Sequence, residues 1–328
     1  MPVISRSPYG NFFSWFRNGH LETIYPSVFR KIKGLPYERE RIDTPDGDFL
    51  DLDWVQTGSN KLIIVSHGLE GNTTRHYIKS CVRYFHQKGY DVLAWNYRSC
   101  SGEINRTLRL YHHGVTDDLE TVIQHTISTR RYKRIGLVGY SMGGSTTLKY
   151  LGENGVNVPK HIVAAAVFSV PCNLWDSAHQ LTFRKNTFYR KRFLKKLIQK
   201  VKQKHAQFPD AVNISAIDRI RSFGLFDERY TAPLHGFRNA RHFYSTSSSD
   251  LHYHSITVPS LIVNALNDPL LGEKCYPYEI CQNSKTLTLE TPRCGGHVGF
   301  GLRGKNYSWM DQRAFEYIDR YMQEWSLH

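Results

Sequence analysis

The chain has 328 residues, 40% of them hydrophobic, and a formal net charge of +14 at pH 7, which suits one α/β domain over 1–328 with an insertion. No apolar run approaches the roughly 20 residues of a membrane span, the first residues lack the apolar region of a signal peptide, and no phosphate loop or dinucleotide fingerprint is present. The six cysteines have no paired or metal-type spacing, which is typical of reduced thiols in a cytoplasmic protein.

The predicted secondary structure is irregular at the start of the chain and then alternates between strands and helices. Residues 1–36 are predicted to be irregular, with Phe12, Phe13, Trp15 and Phe16 packing across the core or its mouth. The segment 41–54 predicts a hairpin that turns at Asp46-Gly47. Further strands are predicted near 61–66, 91–96, 134–138, 163–169, 259–264 and 285–290. Helices near 76–88, 116–130, 144–152 and 310–325 complete a mostly parallel sheet wrapped by helices.

A G-x-S-x-G pentapeptide occupies residues 139–143, directly after the apolar strand 134–138 and before a helix that begins at Gly144. A serine at the tip of such a tight strand-to-helix turn presents its hydroxyl at the carboxyl edge of the sheet. The turn is strained, and glycines on either side let the strand and the helix approach closely. Ser141 is therefore the candidate nucleophile.

A nucleophilic serine needs a base and an acid that orients the base, and in α/β-hydrolases the order along the chain is serine, acid, histidine. Asp268 follows the apolar strand 259–264, so its carboxylate should reach the same rim as Ser141. Asp227 and Asp250 also lie between Ser141 and the candidate base, but neither follows an apolar strand. Among sixteen histidines, only His297 lies in a glycine-framed loop one strand after Asp268.

The oxyanion that forms during acyl transfer should be bound by two backbone N–H groups. One belongs to Met142, the residue after the nucleophile, at the positive end of its helix. The second should lie in a loop after an early strand, and 67–71 (His-Gly-Leu-Glu-Gly) follows the strand 61–66. The His-Gly pair resembles the oxyanion loop of lipases and esterases, which implies the N–H of Leu69 as the second donor; the alternative is a simple strand-ending turn.

Eight stretches spread along the chain match the pattern of one known family. They are 18–24, 67–71, 96–102, 111–118, 139–143, 148–153, 267–269 and 295–300. On these stretches the chain resembles the YheT family of α/β-hydrolases. The resemblance implies a triad of Ser141, Asp268 and His297, the residues that the strand and loop context also selects, and activity on short- to medium-chain acyl esters or lipids. Two positions depart from the family pattern, with Ser99 in place of glycine and His113 in place of serine.

The gap between about 172 and 256 is too long for one crossover, so we expect an inserted helical cap over the active site. Between Gln180 and Pro209 it contains ten Lys or Arg residues and no acidic residue. Apolar residues recur there at four-residue steps, at Tyr189, Phe193, Leu197 and Val201. This spacing predicts one apolar helix face. Three interpretations remain open: a solvated lid helix, a surface that rests peripherally on anionic membrane lipids, and nucleic-acid binding, which no recognition motif supports.

The sequence therefore predicts a serine hydrolase that cleaves carboxylic esters through an acyl-enzyme. We expect a small-molecule ester or lipid as substrate, and the mechanism requires no cofactor and no metal. The same triad could instead transfer the acyl group to an alcohol or cleave a thioester. A non-catalytic lipid-binding scaffold on a hydrolase fold is the alternative from a different class, although a scaffold has no physical need for an intact triad.

Overall fold

A computed structural model describes residues 2–10, 18–130 and 132–324 of the chain. Within these ranges the chain forms a nine-stranded sheet with helices on both faces. The four aromatic residues Phe12, Phe13, Trp15 and Phe16 lie outside the described residues, so their packing stays a prediction.

The sheet is mostly parallel, as predicted. Its strands are β1 (Val3–Ile4), β2 (Glu38–Asp43), β3 (Phe49–Val55), β4 (Lys61–Ser66), β5 (Asp91–Asn96), β6 (Arg134–Tyr140), β7 (Ile162–Phe168), β8 (Ser260–Val263) and β9 (Leu287–Glu290). Their order is β1-β9-β8-β7-β6-β4-β5-β3-β2. Only β3 among these strands runs in the opposite direction, because it pairs antiparallel with β2 and with β5. The pair β2 and β3 is the hairpin that the Asp46-Gly47 turn predicts.

The helices are α1 (Gly19–Phe29), α2 (His76–Gln87), α3 (Asp117–Thr129), α4 (Met142–Asn154), α5 (Leu174–Gln180), α6 (Thr187–Gln207), α7 (Phe223–Phe226), α8 (Ala232–Leu234), α9 (Ala240–Ser247), α10 (Tyr278–Asn283) and α11 (Trp309–Glu324). Apolar residues of α3 and α4 pack on one face of the sheet, and those of α2 and α11 pack on the other. The central strands are therefore buried along almost their whole length. None of the described helices combines the length and the apolar content that a bilayer span requires.

The prediction that residues 1–36 are irregular is wrong for two segments. Val3 and Ile4 form β1, which exists only through its pairing with Leu289 and Glu290 of β9. Helix α1 begins at an Asn18 cap, whose side chain accepts the N–H groups of the first turn. Its buried positions are Gly19, Glu22 and Pro26 rather than apolar residues, so the helix has no apolar period that the sequence could reveal.

The chain between β7 and β8, all of whose residues are described, contains no strand and carries helices α5 to α9. The longest of them, α6, covers the segment that the four-residue spacing predicts to be helical. Its residues Leu194, Leu197 and Val201 are buried in a separate apolar cluster with Phe223 and Phe226. This β7–β8 segment therefore has a small core of its own, and that core lies beside the cavity described below.

Candidate active site

Ser141 lies in a strained turn between β6 and α4. The strand ends at Tyr140, the helix begins at Met142, and Ser141 has φ 53° and ψ −119°. Such a conformation is unfavourable for a residue other than glycine and persists only where the surrounding structure imposes it. Gly143 permits the close approach, because a Cβ on it would lie 2.3 Å from the Ser66 carbonyl oxygen. The serine hydroxyl is thus held at the carboxyl edge of the sheet.

The structure brings Ser141, His297 and Asp268 into one hydrogen-bonded chain. Ser141 Oγ lies 2.9 Å from His297 Nε2. On the other side of the ring, Nδ1 lies 2.8 Å from Asp268 Oδ2 and 3.1 Å from Oδ1. The Asp268 side chain is 0% exposed and also accepts the Leu270 N–H at 2.9 Å. Donation from Nδ1 to this carboxylate leaves Nε2 free to accept the proton of the serine hydroxyl.

The two other acids considered from the sequence lie elsewhere. Asp227 accepts hydrogen bonds from the hydroxyls of Tyr244 at 2.5 Å and Thr231 at 2.6 Å. Burial raises the pKa of Asp227 to about 6. Asp250 accepts the side-chain amide of Asn173 at 2.9 Å. Neither carboxylate has a contact with His297 in the described part of the chain, so only Asp268 is placed to orient the imidazole.

Helix α1 supports both loops that carry this hydrogen-bonded chain, a role that the sequence reasoning missed. Glu22 Oε2 accepts the Asn267 side-chain amide at 2.7 Å and the Gly295 N–H at 2.9 Å. The Thr23 hydroxyl accepts the His297 N–H at 2.8 Å. One carboxylate oxygen thereby joins the loop of Asp268 to the loop of His297. The only signal in the sequence was the motif 18–24, which the family resemblance marked without assigning it a role.

The loop after β4 lies against Ser141. A Cβ on Gly68 would lie 3.1 Å from Ser141 Cβ, and the Gly71 N–H closes a turn onto the Gly68 carbonyl at 2.9 Å. The predicted oxyanion donors, Leu69 and Met142, therefore lie on the two elements that border Ser141. Within the described residues, neither N–H has a hydrogen-bond acceptor. That these two N–H groups donate to a reacting carbonyl oxygen stays a prediction.

His67 fixes the start of this loop. Its Nδ1 lies 2.8 Å from the Gly68 carbonyl oxygen, and its Nε2 lies 3.3 Å from the Tyr97 N–H. These partners require a neutral ring with the proton on Nδ1. Burial, together with the nearby charges of Lys200 and Arg75, lowers the pKa of His67 to about 3, which agrees with a neutral ring.

Glu70, the residue after Leu69, anchors the loop to α6. Its φ is 54°, and its carbonyl oxygen accepts Arg75 Nη2 at 2.9 Å and Lys196 Nζ at 3.0 Å. Its carboxylate accepts Lys200 Nζ at 2.8 Å and the Tyr111 hydroxyl at 2.6 Å. Two of the ten cations in 180–209 are therefore bound to the loop that carries Leu69. A third, Lys204, is buried and donates to the carbonyls of Asn105 and Thr107 at 2.6 Å each.

The cavity above Ser141 has two arms, and Ser141, His297 and Leu69 line both. The apolar arm lies mainly under the β7–β8 segment and is lined by Leu110, Leu174, Leu181, Leu197, Phe223 and Phe226 among others. The cationic arm opens between α1, α2 and α6 and is lined by Arg30, Lys31, Arg75, Lys79, Arg192 and Lys196 together with Glu70 and neutral residues. The scissile bond of a substrate would thus lie between an apolar and a positively charged space.

The two departures from the family pattern have different consequences. Ser99 has φ 61°, a conformation that favours glycine, and its hydroxyl donates to Asn105 Oδ1 at 2.6 Å. That hydrogen bond offsets part of the strain. His113 lines the apolar arm, where burial lowers its pKa to about 4. Neither residue contacts Ser141 or Asp268 in the described structure.

The fold, the strained turn at Ser141 and the hydrogen-bonded chain from Ser141 through His297 to Asp268 define the class of this protein, an α/β-hydrolase enzyme. Residues 57–274, more than half of the chain, match the hydrolase family described as "Serine aminopeptidase, S33", and the chain belongs to that family.

Similar proteins extend this result beyond the matched segment. YheT of Escherichia coli (strain K12) is 29% identical over 317 residues, which cover 94% of this chain and 92% of that protein. Phospholipase ABHD3 of Mus musculus is 28% identical over 329 residues, 97% of this chain and 79% of that protein. The solved structure of the Pyrococcus furiosus esterase Pf2001 superposes with a TM-score of 0.59 at 19% identity, covering 89% of this chain and 96% of that chain. The resemblance to the YheT family is confirmed, and ester hydrolysis is the reaction class that these relatives support.

Proposed function

We propose that this protein is a serine hydrolase that cleaves carboxylic esters with Ser141 as the nucleophile. The observation that carries the proposal is the hydrogen-bonded chain from Ser141 through His297 to Asp268, at 2.9 and 2.8 Å. The phospholipase name of the mouse relative supports esters as the substrate class. The three residues act together because the serine hydroxyl is a weak nucleophile until a base removes its proton.

In the proposed reaction each of these groups takes part in a defined step. His297 Nε2 takes the hydroxyl proton as Ser141 Oγ attacks the ester carbonyl, and Asp268 stabilises the imidazolium that forms. The N–H groups of Leu69 and Met142 bind the developing oxyanion. His297 then protonates the departing alcohol, which leaves an acyl-enzyme. Water activated by the same imidazole releases the acid and restores Ser141.

The apolar arm is the space for the acyl group. Its mainly apolar lining side chains suit an alkyl chain. We therefore propose short- to medium-chain acyl esters, including lipids, as substrates. Peptide cleavage from a free amino end, which the family description names, is disfavoured here, because the α-ammonium group belongs to the acyl portion and would have to enter the mainly apolar arm.

Labelling with a fluorophosphonate probe tests the nucleophile. The wild-type protein should be labelled and should hydrolyse p-nitrophenyl esters, with the rate varying along a series of acyl chain lengths. The Ser141→Ala variant should lose both properties while keeping its circular dichroism spectrum, and His297→Ala should lose a similar factor because the residues act as a unit. Near wild-type turnover by Ser141→Ala would refute the proposal. Product analysis with added alcohol separates hydrolysis from acyl transfer, and a thioester in the panel tests the remaining alternative.

A further inference from the structure

The cationic arm carries more positive charge than the structure neutralises. Six cationic side chains line it, whereas Glu70 is its only acidic lining residue among those described. The Glu70 carboxylate is already paired with Lys200 at 2.8 Å. A cavity with low-dielectric walls and one sign of charge attracts ligands of the opposite sign.

The partners of the individual cations make the excess clear. Arg30 lies 3.8 Å from the Asp311 carboxylate, so its charge is balanced. Arg75 and Lys196 donate to the same neutral carbonyl oxygen, that of Glu70, at 2.9 and 3.0 Å. A neutral acceptor satisfies their hydrogen bonds without cancelling their charge. The side chains of the remaining three have no hydrogen bond or ion pair to any described residue; they are Lys31, Lys79 and Arg192.

The titration of neighbouring groups reflects the same crowding of positive charge. Burial and the charges of Arg75 and Arg192 lower the pKa of Lys196. Burial and the charges of Arg30 and Arg75 lower the pKa of His76, another lining residue, to about 3. An anion in this arm would relieve the repulsion among these cations.

We infer that the cationic arm binds an anionic group, a phosphate or a carboxylate, carried on the alcohol portion of the ester. The inference rests on the proposed function, because it places the group relative to Ser141. The acyl chain is the apolar half of such an ester and takes the apolar arm, so the alcohol portion extends toward Arg192, Lys79 and Lys196. Arginine and lysine at this position supply charge-assisted hydrogen bonds to phosphate or carboxylate oxygens.

Binding can be measured without turnover. Calorimetry at low ionic strength should show octyl phosphate binding to the wild-type protein at least about tenfold more tightly than 1-octanol or inorganic phosphate, because only octyl phosphate fills both arms. The double variant Arg192→Gln/Lys79→Gln should weaken octyl phosphate binding about tenfold or more. The control variant Lys191→Gln/Lys195→Gln removes the same net charge at exposed positions that do not line the cavity. It should change the dissociation constant by less than about twofold, because neither Lys191 nor Lys195 lines the cationic arm and neither can donate a hydrogen bond to an anion bound there.

Turnover separates this inference from the proposed function. The octanoyl ester of glycerol 3-phosphate should have a higher kcat/KM than the octanoyl ester of glycerol, and the ratio should fall in Arg192→Gln/Lys79→Gln but not in the control variant. If octyl phosphate binds no better than 1-octanol, the anion site is wrong, even when both esters are cleaved. If inorganic phosphate binds as tightly as octyl phosphate, the placement of the anion on the alcohol portion of the ester is wrong. Equal effects of the two double variants would also overturn the anion site. If octyl phosphate binds as expected and neither ester is cleaved, the proposed function fails and the anion site stands.

Discussion

Replacement of Glu22 should disable an active site that this residue does not enter. Glu22 is 3% exposed, and its Oε2 holds the Asn267 side chain at 2.7 Å and the Gly295 N–H at 2.9 Å. In Glu22→Ala both donors lose their acceptor. A hydrogen bond to a charged group contributes about 1.5–3 kcal/mol, so the free energy of unfolding should fall by about 3–6 kcal/mol.

The effect on catalysis follows from the position of the two donors. Asn267 precedes Asp268, and Gly295 lies two residues before His297, so the loss of their shared acceptor lets the imidazole and the carboxylate move apart. A displacement of about 1 Å in a catalytic group can cost on the order of 100-fold in rate. We therefore expect kcat on a soluble ester to fall about 100-fold in Glu22→Ala, measured at a temperature where circular dichroism shows the variant to be folded.

Glu22→Gln is the matched control. Glu22 Oε1 has no hydrogen-bond partner among the described residues, so a glutamine can place its amide nitrogen there and keep its oxygen at the position of Oε2. Both hydrogen bonds then survive, and kcat should stay within about tenfold of wild type. Denaturant unfolding and ester turnover measure the two effects. An alanine variant with wild-type kcat, or a glutamine variant as impaired as the alanine variant, would refute the reasoning.

Three further predictions concern the acid, the pH dependence and the basic helix. Asp268→Asn should lower kcat by up to roughly 10⁴-fold because it favours the wrong imidazole tautomer, and Asp250→Asn should have little effect in the same ester assay; the reverse pattern would show that the acid is misassigned. His67 has a folded-state pKa of about 3 against an ordinary value of 6.5, so its contribution to stability is complete above pH 6.5 and is lost as the pH falls. Between pH 7 and 5 the free energy of unfolding should fall by about 2 kcal/mol from this group, and His67→Gln, measured by denaturant titration, should show a correspondingly shallower slope; an unchanged slope would contradict this. Glutamate can replace three exposed lysines of the basic segment, Lys185, Lys191 and Lys195. If the segment rests on anionic lipids, these changes should weaken binding to anionic vesicles by on the order of 1 kcal/mol per residue. Equal binding of the wild-type protein to neutral and anionic vesicles would exclude that role.

The choice of these lysines shows where sequence reasoning reaches its limit. From the sequence, the ten cations of 180–209 form one uniform group. The structure divides them, because Lys196 and Lys200 bind Glu70 and Lys204 is buried against backbone carbonyls, whereas Lys191 and Lys195 are exposed. A reversal of Lys200 would break a buried ion pair and disturb the loop that carries Leu69 rather than test a membrane surface. Which face of a basic helix is free depends on the surface that it packs against.

The candidate site was accessible from the sequence because its parts are local. The strand, the glycines and the following helix determine the turn at Ser141 within about twenty residues, and β8 and β9 end directly before the loops of Asp268 and His297. In a parallel sheet all these strand ends meet at one edge, so the local patterns predict the site without a knowledge of the packing.

Only the tertiary structure decided the contacts between residues that are far apart in the chain. Strand β1 is two residues long and exists through its pairing with β9. Glu22 accepts hydrogen bonds from Asn267 and Gly295, which lie 245 and 273 positions further along the chain. Glu70 pairs with Lys200 across a separation of 130 positions. Hydrophobic periodicity and turn chemistry describe a residue's neighbours along the chain, so they specified the sheet, the nucleophile turn and the order of Ser141, Asp268 and His297. A buried carboxylate pairs with a distant group only in the completed fold, where both groups are removed from water. Local sequence patterns do not predict such a pair.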